Sequence, residues 1–216
     1  MNMAEFSFPF DAEWIDGIPD RSYSAQDFAN FYKQLVSNGV VHKNNVPSLR
    51  VRPEGGTMRV ILEPGSAFIE GKVYINTTDL PLTVALPDAT RSRFDRVVIR
   101  LDNRKEERRI YAYIAQGIPA EEPTPPPLTR NEEVFELSVA RIFVTAGKAY
   151  IDDSQIIDER LNQSVCGVAS SLVEIPTDDI IAEWKSVLAE ILREFDQEST
   201  RAYARKVAMQ KAIVLG

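Results

Sequence analysis

Residues 94–114 read FDRVVIRLDNRKEERRIYAYI. Two stretches rich in β-branched and aromatic residues, 94–101 and 109–114, flank the charged segment 102–108, which predicts an antiparallel hairpin with its polar loop in solvent. Upstream, Met58, Val60 and Leu62 alternate with Arg59 and Ile61 over 57–63, the two-residue period of a half-buried strand, and Pro64-Gly65 stops it. The segment 67–75 reads as a second hairpin turning at Glu70-Gly71. Downstream, Pro119, Pro123, Pro125, Pro126 and Pro127 remove amide donors from 117–130, so this stretch is neither helix nor central strand. It is expected to be a stiff surface crossover; a proline-recognition ligand is the sharper alternative. Strand character resumes over 134–145, turns at Ala146-Gly147 and returns through 149–151. About seven short strands with a long crossover predict a mainly β fold, an antiparallel β-sandwich or open barrel.

Both flanks of this body are different. At the start, Ser24 can cap a helix and Asp27 can reach back to its amide, while Phe28, Phe31, Tyr32, Leu35 and Val36 recur at spacings of three and four. Asn38-Gly39 is expected to end that helix in the left-handed conformation. Ahead of it, residues 6–23 carry Phe6, Phe8, Phe10, Trp14 and Tyr23 without a period. They read either as an extended arm that docks its rings or as a strand covering its own core. At the other end, Thr177 is a candidate N-cap after Pro176, and Asp178 and Asp179 suit the positive end of a helix. Ile181, Trp184, Leu188, Ile191 and Phe195 then fall at steps of three and four, a coiled-coil seam of two heptads. In that register Glu198, Ala202, Arg205 and Met209 follow, so the seam weakens beyond Phe195 and a register change is expected near Ser199-Thr200. A helix of about 35 residues would be about 50 Å long, more than the width of a domain of this size, which favours packing between subunits. Bulky Trp184 and Phe195 fit three strands more easily than two.

The residues that usually announce chemistry are scarce. There is one histidine, His42, and one cysteine, Cys166, with no nucleophile motif beside the first and small apolar neighbours around the second. They read as a surface histidine and an inert buried thiol, and cannot assemble a zinc site of ordinary composition. The pairs Asp152-Asp153, Asp158-Glu159 and Asp178-Asp179 are candidates for a glycosidase, but pairs arise without function among 32 acids. No cofactor is expected. The net charge of -7 is spread along the chain, so nucleic acid is an unsuited partner. The start MNMAEFSFPFDAEW lacks a basic cluster before an apolar run, and no apolar run reaches the roughly 18 residues of a membrane span. A soluble protein without membrane insertion, folding in a reducing cytosol, is the expectation.

The chain resembles a family of tail or baseplate structural proteins from tailed bacteriophages and prophages over most of residues 10–170. The carriers are Asp20-Arg21-Ser22-Tyr23-Ser24-Ala25-Gln26-Asp27-Phe28-Ala29, Asn38-Gly39-Val40 and Glu63-Pro64-Gly65-Ser66-Ala67-Phe68-Ile69-Glu70-Gly71. Further on stand Arg93-Phe94-Asp95-Arg96-Val97-Val98-Ile99-Arg100-Leu101-Asp102, Glu136-Leu137-Ser138-Val139-Ala140, Ile157-Asp158-Glu159-Arg160 and Cys166-Gly167. The resemblance implies a virion component near the tail tip, made in the cytoplasm of a host bacterium, whose sheet domain docks on the baseplate and whose helices gather copies about an axis, threefold by preference. It carries over no catalytic residue.

The expected organisation is an arm and short helix over 1–46, an antiparallel β domain over 47–170, and an oligomerisation helix over 176–214. The expected function is non-enzymatic: a homotrimeric adaptor or connector for host-attachment components, in contact with other tail and baseplate proteins. The rival is a carbohydrate-binding module recognising a host-surface glycan through Tyr111 and Tyr113, and a second rival is a tail-associated hydrolase.

Overall fold

The computed structural model describes residues 5, 7–44, 46–173 and 181–196. The chain divides into two compact units, Met1–Val173 and Glu174–Gly216. The first is mainly β. In chain order it forms Trp14–Ile15 (β1), Ile18–Pro19 (β2), the helix Ala25–Leu35 (α1), Gly39–Val40 (β3), His42–Lys43 (β4), Val46–Pro47 (β5), Val51–Pro53 (β6), Arg59–Leu62 (β7) and Gly65–Ile69 (β8). Then come Lys72–Asn76 (β9), Leu80–Thr83 (β10), Arg93–Asp102 (β11), Arg109–Ala115 (β12), Val134–Val144 (β13), the 3-10 turn Asp153–Gln155 and Ile156–Asp158 (β14). Three sheets, β10-β7-β6, β12-β11-β13-β14 and β3-β8-β9, share one core, and each strand pair is antiparallel.

The hairpin expected at 94–114 is β11–β12, running from Arg96↔Ala115 to Asp102↔Arg109. On the other side β11 pairs with β13, with a bulge where Val97 faces Ala140 and Val98 faces Ser138. Val139 is the extra residue, and the bulge lets Val97, Ile99, Leu101, Leu137, Ala140, Ile142 and Val144 all enter the core. The hairpin at Glu70-Gly71 is β8–β9, with both turn residues at positive φ, as a tight hairpin turn requires. Ile61 is buried together with Val60 and Leu62, so β7 is covered on both faces and is not the half-buried strand expected. The proline-rich stretch holds no strand. It is fastened through the Pro126 carbonyl, which accepts from Arg96 Nη1 at 2.7 Å, and the Thr129 amide, which donates to Glu136 Oε2 at 2.6 Å.

One strand expectation is corrected. Residues 149–151 do not return along β13. Ile151 is buried and its amide donates to the Thr57 carbonyl at 2.9 Å, while the side-chain amide of Gln155 takes the Phe143 carbonyl at 2.8 Å. The strand that does pair with β13 is β14, five residues beyond Ile151.

Helix α1 starts as its sequence dictates. The Asp27 amide donates to Ser24 Oγ at 3.2 Å and the Ser24 amide to Asp27 Oδ2 at 2.7 Å, a complete capping box. Its end is not the expected left-handed cap: the helix stops at Leu35, Val36 is extended, and Gly39 lies in β3. Gly39 is needed for another reason, since a Cβ there would stand 2.6 Å from the Gly167 carbonyl oxygen. Asn38 instead ties the β8–β9 turn, accepting from the Glu70 amide at 2.7 Å and donating to Glu70 Oε1 at 2.6 Å. That turn seats α1 on the sheet through Ala29, the helix's buried residue. A Cβ on Gly71, which has φ +76°, would lie 1.8 Å from the Ala29 carbonyl oxygen. The arm docks one ring on the same helix, with Phe8 5.5 Å from Phe28 and 5.8 Å from Phe31. It does not cover the sheet core: β1 and β2 form a hairpin through Asp16-Gly17 that leaves Trp14, Ile15 and Ile18 exposed.

A charge pair sits in the core. Arg93 Nε and Nη2 donate to Asp95 Oδ1 and Oδ2 at 2.9 and 3.1 Å, and the rest of the guanidinium donates to the Leu86 and Ala85 carbonyls at 2.9 and 2.7 Å. Asp95 Oδ1 also accepts from the Gly117 amide at 2.9 Å. Replacing Asp95 by Ala strands the buried guanidinium, and a loss of about 3–5 kcal/mol is expected in urea unfolding. Gly71→Ala should lose more than about 1 kcal/mol, from strain at positive φ and collision with α1, and Ser24→Ala about 1 kcal/mol. The same urea titration ranks all three.

Candidate functional site

The unit Glu174–Gly216 contains helix 181–196. The five seam residues lie on it and all are exposed in the single chain, Trp184 at 72 % and Phe195 at 74 %, with Ile181, Leu188 and Ile191 each near half. Two further side chains on the same side were not read from the sequence: Val187 and Leu192 are exposed as well. The signal was available, because Val187 is three residues from Trp184 and four from Ile191, and Leu192 stands four from Leu188. With them the apolar stripe covers about 140° of the helix at 3.6 residues per turn. That is wider than the strict seam of a two-stranded coiled coil. The opposite side is charged, with Arg193 Nη2 3.7 Å from Glu190 Oε1. An apolar groove of about 440 Å³ is lined, among the described residues, by Glu183, Trp184, Val187, Leu188 and Ile191. The Thr177 cap, Asp178, Asp179 and the register change near Ser199-Thr200 lie outside the described residues.

The β unit holds the other candidates, and it has enlisted them in its own structure. Tyr111 and Tyr113 do share a face of β12, with ring centroids 5.8 Å apart. They are not a bare stacking platform, since Arg109 lies 4.6 Å over the Tyr111 ring and Arg100 lies 4.7 Å over that of Tyr113. Arg100 Nη2 donates to the Tyr113 hydroxyl at 2.8 Å, and that hydroxyl donates in turn to Glu136. Burial and the Glu136 carboxylate push the Tyr113 phenol well above its ordinary range. Beside this network, Glu159 accepts from Ser138 Oγ at 2.6 Å and lies 3.3 Å from Arg96 Nε. His42 is exposed on β4. Cys166 is 4 % exposed within the core, and burial pushes its thiol up to about 12, as suits an inert packing residue.

Of the acid pairs, Asp152-Asp153 and Asp158-Glu159 lie among the described residues, where Asp152 and Asp158 act as turn and strand anchors. Asp152 caps the 3-10 turn through Ser154 and pairs with Lys148 at 2.5 Å. Asp158 holds Arg160, whose Nη1 donates to the Pro47 carbonyl and to the Ser48 carbonyl at 3.2 Å, tying β14 to the start of the β body. Among the described residues, each carboxylate with a resolved shift lies below its ordinary value, the reverse of what a general acid needs at neutral pH. Among the described residues, no helix is long and apolar enough to cross a membrane, and no group of three or more His, Cys, Asp or Glu side chains is placed to hold a metal ion.

No family model matches this chain, and no match is found among curated proteins or solved structures.

The carboxylates set the acid response. Lys148 and Ser154 hold Asp152 down to about 2; the Arg104 guanidinium lowers Asp102; burial raises Asp158 but Arg160 outweighs it. Folded values below the ordinary 3.8 give stability that is complete above that pH and lost as pH falls through the folded values. Thermal unfolding followed from pH 7 to 2 should therefore show a melting temperature that drops below about pH 4 and keeps dropping toward pH 2.

Proposed function

We propose that this chain is a structural, non-enzymatic adaptor of a bacteriophage or prophage tail, in which copies associate through the helix carrying Ile181, Trp184, Leu188, Ile191 and Phe195. The observation that carries the reading is the exposed stripe of seven large apolar side chains on helix 181–196. Apolar surface of that extent is unfavourable in water and marks an interaction site. In a homotrimer, flanking positions next to the seam are covered by two neighbours, which gives Val187 and Leu192 a buried place. The breadth of the stripe thus favours three copies over two. In this reading the sheets β10-β7-β6 and β12-β11-β13-β14 make an open barrel or sandwich that docks on other tail or baseplate proteins of the virion.

The residues that carry the family resemblance support a role in architecture. Ser24 and Asp27 cap α1, Glu70-Gly71 turns β8 into β9, Arg93 and Asp95 pair in the core, and Asp158 and Arg160 tie β14. Each of these makes the fold. The rival glycan platform at Tyr111 and Tyr113 is disfavoured by the two guanidinium groups on its rings.

Replacing Ile191 by Asp puts a charge at the centre of the seam and is expected to reduce the assembly to single copies by sedimentation velocity, with the far-ultraviolet spectrum of the β unit retained. A chain ending before Thr177 should behave in the same way. Persistence of the trimer in both would assign the subunit contacts to the β unit and overturn the reading.

A further inference from the structure

A polar cleft of about 240 Å³ lies within the β unit, between α1, the β8–β9 turn and the ends of β11 and β13. Gln26, Asn30 and Lys33 form one wall at helical spacings of four and three; Glu70 and Lys72 come from the turn; Asn103, Asn131 and Glu132 come from the strand ends. Leu101 and Phe135 form an apolar patch among them. We propose that this cleft binds a neutral saccharide ring.

The charges in the cleft balance, two lysines against two glutamates, and most are already engaged. Lys33 pairs with Glu70, and Lys72 Nζ donates to Gln26 Oε1 at 3.1 Å. Lys33 offsets Glu70, and the two charges left, on Lys72 and Glu132, are opposite in sign, so the cleft carries no net charge to favour a phosphate or a divalent cation. What remains free is amide and carboxylate chemistry. The Asn103 side chain and the Glu132 carboxylate have no protein partner, and Asn30 and Asn131 use their oxygens internally, leaving each NH2 available. Amides and a carboxylate side by side present donors and acceptors in alternation, the requirement of adjacent hydroxyl groups that both give and take hydrogen bonds. Leu101 is buried in the core and the Arg130 guanidinium lies 5.2 Å over the Phe135 ring, so the apolar contact open to a sugar ring is the part of Phe135 that stays exposed. The volume falls short of the roughly 300 Å³ of a drug-sized site, and suits a single ring. Solvent-exposed walls give weak binding, so effective attachment would need several copies acting together.

The test uses saturation-transfer difference NMR on the full chain with glucose, galactose, N-acetylglucosamine and rhamnose, and with glycine and inorganic phosphate as zwitterionic and anionic probes. Transfer to at least one sugar is expected, with binding weakened by about tenfold or more in Asn103→Ala and in Glu132→Ala and unchanged in Tyr111→Ala. Both substituted side chains are exposed and unpaired, so folding is retained. No transfer to any sugar, transfer that survives both substitutions, or displacement of the sugar by glycine or phosphate would overturn the proposal. Sedimentation of the same variants should stay trimeric, which separates this result from the fate of the assembly reading.

Discussion

The buried Arg93–Asp95 pair is the constraint on which the β unit turns. Both side chains are almost wholly out of water; of the four hydrogen bonds from the guanidinium, two go to Asp95 and two join the start of β11 to the chain at Ala85 and Leu86. The same carboxylate reaches the Gly117 amide, where the proline-rich crossover begins. A charge pair in a core adds little net stability beside a well-packed apolar substitute, but leaving it half made is heavily penalised. It ties the segment 85–86 and the start of the crossover to β11, and moving either would leave a buried donor or acceptor without its partner. Around it the apolar faces of three sheets close on each other.

A second layer of charge lies on the far face of the four-stranded sheet. Arg96 and Arg141 stand directly opposite each other across β11 and β13, which like charges disfavour, and Glu159 between them supplies the compensating carboxylate. Arg100 does the same for Glu136. These groups fasten the crossover and β14 to the sheet, which leaves the aromatic pair of β12 enclosed by guanidinium groups.

The long elements were legible because their signals are local. The β11–β12 hairpin, the Glu70-Gly71 turn and the Ser24–Asp27 cap each depend on residues a few positions apart. The two-residue ladders such as β4–β5 and β3–β8 have no period to read, since they exist through partners more than a few residues away or through a single turn. β14 was missed for the same reason: Ile156 and Ile157 lack an alternation, and their place is set by Gln155 and Arg160 acting on distant carbonyls. Gly39 was legible as a special position but not for its true reason, which is contact with Gly167 across a large separation in sequence. At the candidate assembly surface the seam was plain, while Val187 and Leu192 were passed over because a strict two-per-heptad template has no place for them. The polar cleft could not be read at all, since its walls come from four separate segments.

The measurement that bears most directly on the account is homotypic cross-linking along helix 181–196. A Leu188→Cys chain, oxidised under native conditions, is expected to form interchain disulfides, because residues at the centre of a shared seam bring their Cα atoms within the roughly 7 Å that a disulfide spans. A Ser186→Cys chain, with its thiol on the charged side, should form none, and the deeply buried Cys166 leaves the readout clean. Interchain disulfide at neither position, or equal yields at both, would contradict burial of the stripe by copies of itself.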